Sequence, residues 1–218
     1  MKLRSIDPPT TAPALAVRLV AGTAFGYVVG MFPSADLAAR VVADGDIDLR
    51  ATGTGNPGAA NAHLVLGPKA GAGVLFADMA KAVVAGTVGR RLGAMPGANA
   101  ASAAAVLGHC YPIWNNFRGG KGVAASVGQV GVTFPSFLPI DAAVTGLTAK
   151  LWPGHKASFA AVVAGSAGWL TAATVWWRRG WPTGSGSPAG IELPIAAAVS
   201  SAAILQRFWS ASRNEAAR

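Results

Sequence analysis

From 157 to 177 the chain carries no charged side chain. An α-helix needs about 20 apolar residues to cross the hydrocarbon core of a bilayer. In that medium every backbone N–H and C=O must find its partner within the protein, so a run of this kind folds as helix. Six further apolar runs are legible, over 14–31, 63–89, 98–114, 123–138, 142–152 and 191–209, the fifth of them short. They predict an all-α, polytopic membrane protein with about seven transmembrane helices. Only 12% of the residues are charged, against about 25% in soluble domains. A single integral membrane domain over 1–218 is expected, with a Pro-containing N-terminal tail at 1–13 and a polar C-terminal tail at 210–218. Lys2 and Arg4 precede Pro8, Pro9 and Pro13, which interrupt the pattern of a cleaved signal peptide.

The first run contains Gly22, Gly26 and Gly30. Four-residue spacing puts them on one helix face, where a second helix can approach closely. The second run holds Asp78 and Lys81, three apart and so on one face of a helix. Ionisable groups inside a span mark a functional site by default; a structural ion pair that fixes helix register is the equal alternative. Trp152, Trp176, Trp177, Trp181 and Trp209 cluster at run ends, as an aromatic belt does.

The net charge is +9. The cations are scattered between apolar runs rather than gathered in a stripe, which argues against nucleic acid and for lipid headgroups or an anionic substrate. If the 40–62 segment is cytoplasmic, so are Arg40, Arg50, Arg118, Lys121, Lys150, Lys156, Arg207, Arg213 and Arg218. Lys2, Arg4, Arg18, Arg90, Arg91, Arg178 and Arg179 then lie opposite. The excess leans to the positive-inside assignment, with the N-terminus outside.

Two polar stretches break the apolar pattern. "ATGTGNPGAAN" offers Gly53, Gly55 and Gly58 with Thr54, Asn56 and Asn61, and "RGGKG" sets Arg118 and Lys121 around Gly119 and Gly120. Glycine lets backbone N–H groups approach a ligand, and clustered N–H groups with a nearby cation make an anion pocket. The P-loop pattern GxxxxGK[ST] is absent, so no nucleotide is implied. No GxSxG elbow occurs, and no His is followed five residues on by Asp. Cys110 beside His109 reads as a packed small residue, because neighbours in a helix do not face each other.

These stretches resemble motifs of the acyl-phosphate:glycerol-3-phosphate acyltransferases, the PlsY family of bacterial seven-helix membrane enzymes. "DLRATGTGNPGAAN" resembles the family's DLR-x-x-GSGN-x-GATN, and "LGHCYPIWNNFRGGKGVAASVG" its GH-x-FP-x-F-x-x-FKGGKGVAT. "DMAKA" is similar to D-x-x-KG. The resemblance implies transfer of a fatty acyl group from acyl phosphate to glycerol 3-phosphate at the cytoplasmic face of the cell membrane. The products are lysophosphatidate and phosphate, with no acyl-CoA, cofactor or metal. It implies that Arg50 and Lys121 bind phosphate, that 53–61 cradles the acyl phosphate, and that His109 and Asn56 join Lys121 in the catalytic set. Arg118, Gly119, Gly120, Ser158 and Arg207 complete the implied binding set. There are departures. The first motif, GS-x-P-x-G-Y, aligns with "GMFPSAD", so Met31 stands at its serine and Ser34 lies three residues on. Ala60 and Ala125 replace threonines, Phe208 and Ala211 a His and an Asn, and His155 an arginine. A non-catalytic membrane subunit or phosphate- or lipid-binding relative is the alternative reading.

Overall fold

The computed structural model describes residues 11–152, 154 and 157–216. Residues 1–10 of the expected N-terminal tail, and His155, lie outside these. Among the described residues every regular element is helical: α1 (Ala12–Gly30), α2 (Ser34–Ala43), α3 (Ala59–Leu66), α4 (Pro68–Cys110), α5 (Val123–Thr133), α6 (Leu138–Leu151), α7 (Ala157–Arg179) and α8 (Glu192–Ala216).

The second and third apolar runs form the two arms of α4, which folds back on itself. Gly93 and Ala94 leave helical geometry, Ala94 with φ 51°, and Pro96 follows. Proline removes a helical donor and clashes with the preceding turn, which reinforces the break. Gly89 and Gly97 then face each other across the hairpin, and a Cβ on either would strike the other's carbonyl. With the arms (68–92 and 95–110) counted separately, each of the seven runs falls on helix, the second also taking in the end of α3. The fourth run is divided differently. Its helix stops at Thr133, and α6 begins at Leu138 after a 120° bend. Among the described residues three helical segments are long and apolar enough to cross a membrane, and the bent α5–α6 pair, taken as one span, makes a fourth.

The glycines of α1 are its only buried residues among those described. Gly26 and Gly30 lie against the backbone of Ala101 and Ala105, where a Cβ would meet the carbonyls. This contact seats α1 on the second arm of α4 and exposes the larger Val17, Val20 and Val28 outward, as a lipid-facing surface requires.

The two ends of the bundle differ. At one, Arg90 donates to the Ser185 carbonyl at 2.6 Å, and the Ser136 amide in the α5–α6 bend donates to Thr183 at 3.1 Å. Phe134, Phe137, Trp169 and Leu193 pack there, with Trp176 edge-on to both Phe134 and Trp181. At the other end, the connections after α2 and α4 meet the C-terminal half of α8. The stretch 210–218, expected as a tail, continues α8 as far as Ala216.

Candidate functional site

The segment 44–58 owes its shape to Asn61. This side chain is fully buried. Its Nδ2 donates to the Leu49 and Thr52 carbonyls at 2.8 and 2.9 Å, and its Oδ1 accepts from the Thr54 amide at 2.8 Å. Gly53, at φ 62°, lies against it with no room for a Cβ. Asn61 therefore braces the loop, and its polar atoms are turned away from ligand. Leu49, Ala62 and Val74 seat the loop on α4.

The glycine amides are also engaged within the fold. Gly55 donates to Thr52, Gly58 to Asn56, Gly119 to Cys110 and Gly120 to His109. These four amides are thus bonded within the chain: short turns hold Gly55 and Gly58, and longer ties from Gly119 and Gly120 close the second loop onto the end of α4. What remains for an anion is side-chain charge.

That charge converges on a cavity of about 650 Å³. Arg50, Thr54, Gly55 and Asn56 come from the first loop, Arg118, Gly119 and Lys121 from the second, and Arg207 from α8. Ser210 and Ala211, one turn beyond Arg207, also line it, as does Asp48. Among the described lining residues four cations stand against the carboxylate of Asp48, with Asp36 paired to Arg50 from outside, so the charge is net positive, and low-dielectric walls concentrate it. Arg207 also braces the second loop, donating to the Gly119 and Gly120 carbonyls at 2.5 and 3.3 Å. Lys121 Nζ sits 4.5 Å over the Phe208 ring, so the ring at the family's histidine position steers the lysine by cation–π attraction. Ser158 does not join: it is exposed at the start of α7 and lines neither this cavity nor the next. Gly53 and Gly58 shape the loop behind the cavity wall.

A second chamber of about 30 Å³, room for one water, lies beside the first, and Arg50, Pro57 and Gly119 line both. Its far wall is a buried polar cluster. Ser34 donates to Asp78 Oδ1 at 2.5 Å, and Lys81 donates to the same oxygen at 2.7 Å and to Ser34 at 3.1 Å. His109 Nδ1 is 3.4 Å from that oxygen, and its Nε2 faces Gly120. The spacing of Asp78 and Lys81 announced their pairing; that Ser34 and His109 join them needed the tertiary fold. Met31 is buried in this wall, its sulfur accepting from the Ile113 amide at 3.3 Å, so no hydroxyl is offered at the family's serine position.

Residues 20–215 match the profile of the glycerol-3-phosphate acyltransferase family. The chain belongs to this family. The glycerol-3-phosphate acyltransferase of Geobacter sulfurreducens is 43% identical over 129 residues, 58% of this chain and 65% of that protein. That of Rubrobacter xylanophilus is 44% identical over 104 residues, 47% and 51%. The chain thus matches less than two thirds of the length of these relatives. The Brucella anthropi protein is 35% identical over 169 residues, 77% and 79%. Two crystal structures of PlsY, an integral membrane glycerol 3-phosphate acyltransferase, share the fold at 25% identity. The glycerol 3-phosphate form superposes with a TM-score of 0.69 over 91% of this chain and 92% of that one. The lysophosphatidic acid form gives 0.67 over 87% of each. The protein is therefore a multi-pass membrane protein of the glycerol-3-phosphate acyltransferase fold, and the two chambers lie within the matched residues.

Proposed function

We propose that this protein transfers a fatty acyl group from acyl phosphate to glycerol 3-phosphate, giving lysophosphatidate and phosphate for phospholipid synthesis. The observation that carries the reading is the cavity in which Arg50, Arg118, Lys121 and Arg207 converge from three separate segments. Every reactant is a phosphate, and cations without a metal are the donors such groups need. The hydroxyl oxygen of glycerol 3-phosphate attacks the acyl carbonyl carbon, the bond from that carbon to the phosphate oxygen breaks, and phosphate departs with the bonding pair. His109 takes the hydroxyl proton at Nε2, while Asp78 holds the ring through Nδ1. Lys121 and Arg118 stabilise charge on the departing phosphate, which is already a good leaving group, so positioning and electrostatics suffice. The acyl chain extends toward the bilayer past a pocket of about 60 Å³ lined by apolar Val127, Val130, Phe137, Val162 and Trp169 and by polar Ser126, Asp141, Thr145 and Ser166. Val123 and Ile204 of this pocket are two and three residues from Lys121 and Arg207.

The loops face the cytoplasm of a bacterial cell membrane in this reading, where soluble phosphates are supplied. The deciding experiment incubates the purified protein, in lipid nanodiscs, with palmitoyl phosphate and glycerol 3-phosphate in chelator. Lysophosphatidate should form and phosphate be released in equal amount. No product above the His109→Ala background would sink the reading. A cysteine at Ala51 should react with an impermeant maleimide only after the cytoplasmic face is opened; labelling in intact cells would overturn the orientation.

A further inference from the structure

We propose that Asp36 is a specificity-determining residue that occupies Arg50 and yields it only to a dianionic phosphate. The inference rests on reading the larger cavity as a phosphate cradle. A guanidinium has five N–H donors in a planar fork, and in Arg50 each of the three nitrogens has a protein acceptor within hydrogen-bond distance. Nη1 and Nη2 donate to the two Asp36 carboxylate oxygens at 2.6 and 3.1 Å. Nε meets the Arg118 carbonyl at 3.3 Å. The Asn115 amide, turned with its oxygen inward, accepts from Nε at 2.9 Å and from Nη2. Asp48 Oδ1 lies 3.7 Å from Nη1. A phosphate can therefore grip the Nη1–Nη2 edge of Arg50 bidentately only by replacing Asp36.

Asp36, which alone holds both ends of that edge, can leave. The carbonyl of Arg118 is backbone, whereas the Asp36 side chain is 32% exposed at the cavity rim and can rotate into water. Its backbone stays put, because Ser34 in the same turn of α2 is tied to Asp78 and Lys81. A monoanionic carboxylate gains nothing over the carboxylate it would displace. A phosphate dianion brings more charge and three acceptor oxygens, so the exchange favours it. Arg50 lines both chambers, so release of Asp36 also opens the way from the cradle toward His109. The family's first motif carries Tyr where this chain has Asp36, so the device belongs to this chain's own sequence.

The test is calorimetric titration of the full-length protein in detergent with inorganic phosphate and with acetate, at pH 8 and fixed ionic strength. Asp36→Asn should bind phosphate roughly tenfold more tightly than wild type, the order expected for removing one partly exposed bidentate competitor. It should also gain measurable acetate binding, while Asp36→Glu should match wild type. Unchanged or weaker phosphate binding by Asp36→Asn would overturn the proposal, since the carboxylate would then be orienting Arg50. Asp36→Ser carries the same expectation if the Asn variant does not insert. Lys121→Ala separates the two claims. If it binds phosphate like wild type, phosphate does not sit in the cradle and the functional reading fails. If it loses binding while Asp36→Asn gains none, only the role of Asp36 falls.

Discussion

Replacing Asn61 tests whether the glycine loop is a ligand or a scaffold. The side chain makes three hydrogen bonds, at 2.8, 2.9 and 2.8 Å, to Leu49, Thr52 and Thr54 respectively. At about 1 kcal/mol net for each, Asn61→Ala removes about 3 kcal/mol from the closed loop. The helices below do not depend on these bonds, so the cost appears as local opening rather than global unfolding. At 1.4 kcal/mol per tenfold, amide exchange across 49–58 should rise roughly a hundredfold. The melting temperature should move little, and phosphate affinity should fall with the lost order of the cavity wall. Asn61→Asp should be worse than Ala: it keeps the acceptor for the Thr54 amide but sets a carboxylate against two carbonyls in a buried site. The assay is hydrogen exchange by mass spectrometry in detergent, alongside phosphate titration. The argument is refuted if Asn61→Ala weakens phosphate binding with loop exchange unchanged, because Asn61 would then be contacting ligand directly.

Lys121→Ala should weaken phosphate binding by roughly tenfold to a hundredfold, the loss of one charge-assisted contact, and titration that finds wild-type affinity would remove Lys121 from the site. Lys81→Met leaves Asp78, 1% exposed, without its cation; it should cost about 3–5 kcal/mol in reversible unfolding, most of it recovered by Asp78→Asn in the double variant. Gly30→Ala pushes a methyl into the Ala105 backbone and should cost about 1–3 kcal/mol, whereas Gly73→Ala, with open space around it, should melt like wild type. Met31→Ser removes a buried side chain and the acceptor of the Ile113 amide, so it should lose about 2 kcal/mol or more of stability and should not raise transfer; a faster variant would show that the serine position still addresses substrate.

The path of the chain was largely readable in advance because the bilayer leaves few choices. Runs of apolar residues must be helices, and Gly22, Gly26 and Gly30 marked a close helix contact, which Gly89 and Leu92 supply at Gly22 and the Ala101 and Ala105 backbones at Gly26 and Gly30. Where periodicity carries no information, the boundaries moved. Pro135 within 123–138 is the signal for the stop at Thr133, since proline removes a helical donor and turns the preceding residue out of α geometry, while the polar composition of 210–218 hid the continuation of α8. That continuation was recoverable from Arg207, since Ser210 and Ala211 lie one turn on.

The sequence by itself determined the medium, the helical class, the pairing of Asp78 with Lys81 and which two loops carry charge. These follow from local rules: transfer cost, helical spacing and the scarcity of ionisable groups in an apolar chain. Tertiary structure alone decided what each polar group does. Asn61 and the glycine amides, which looked like ligands, close the loop on itself. Asp36, which looked like one more acid in an aqueous segment, holds both ends of the Arg50 fork. A donor can be read from its residue type, but which acceptor satisfies it depends on atoms brought together from distant parts of the chain: Asp36 and Arg50 are 14 residues apart, and Arg50 and Arg118 are 68.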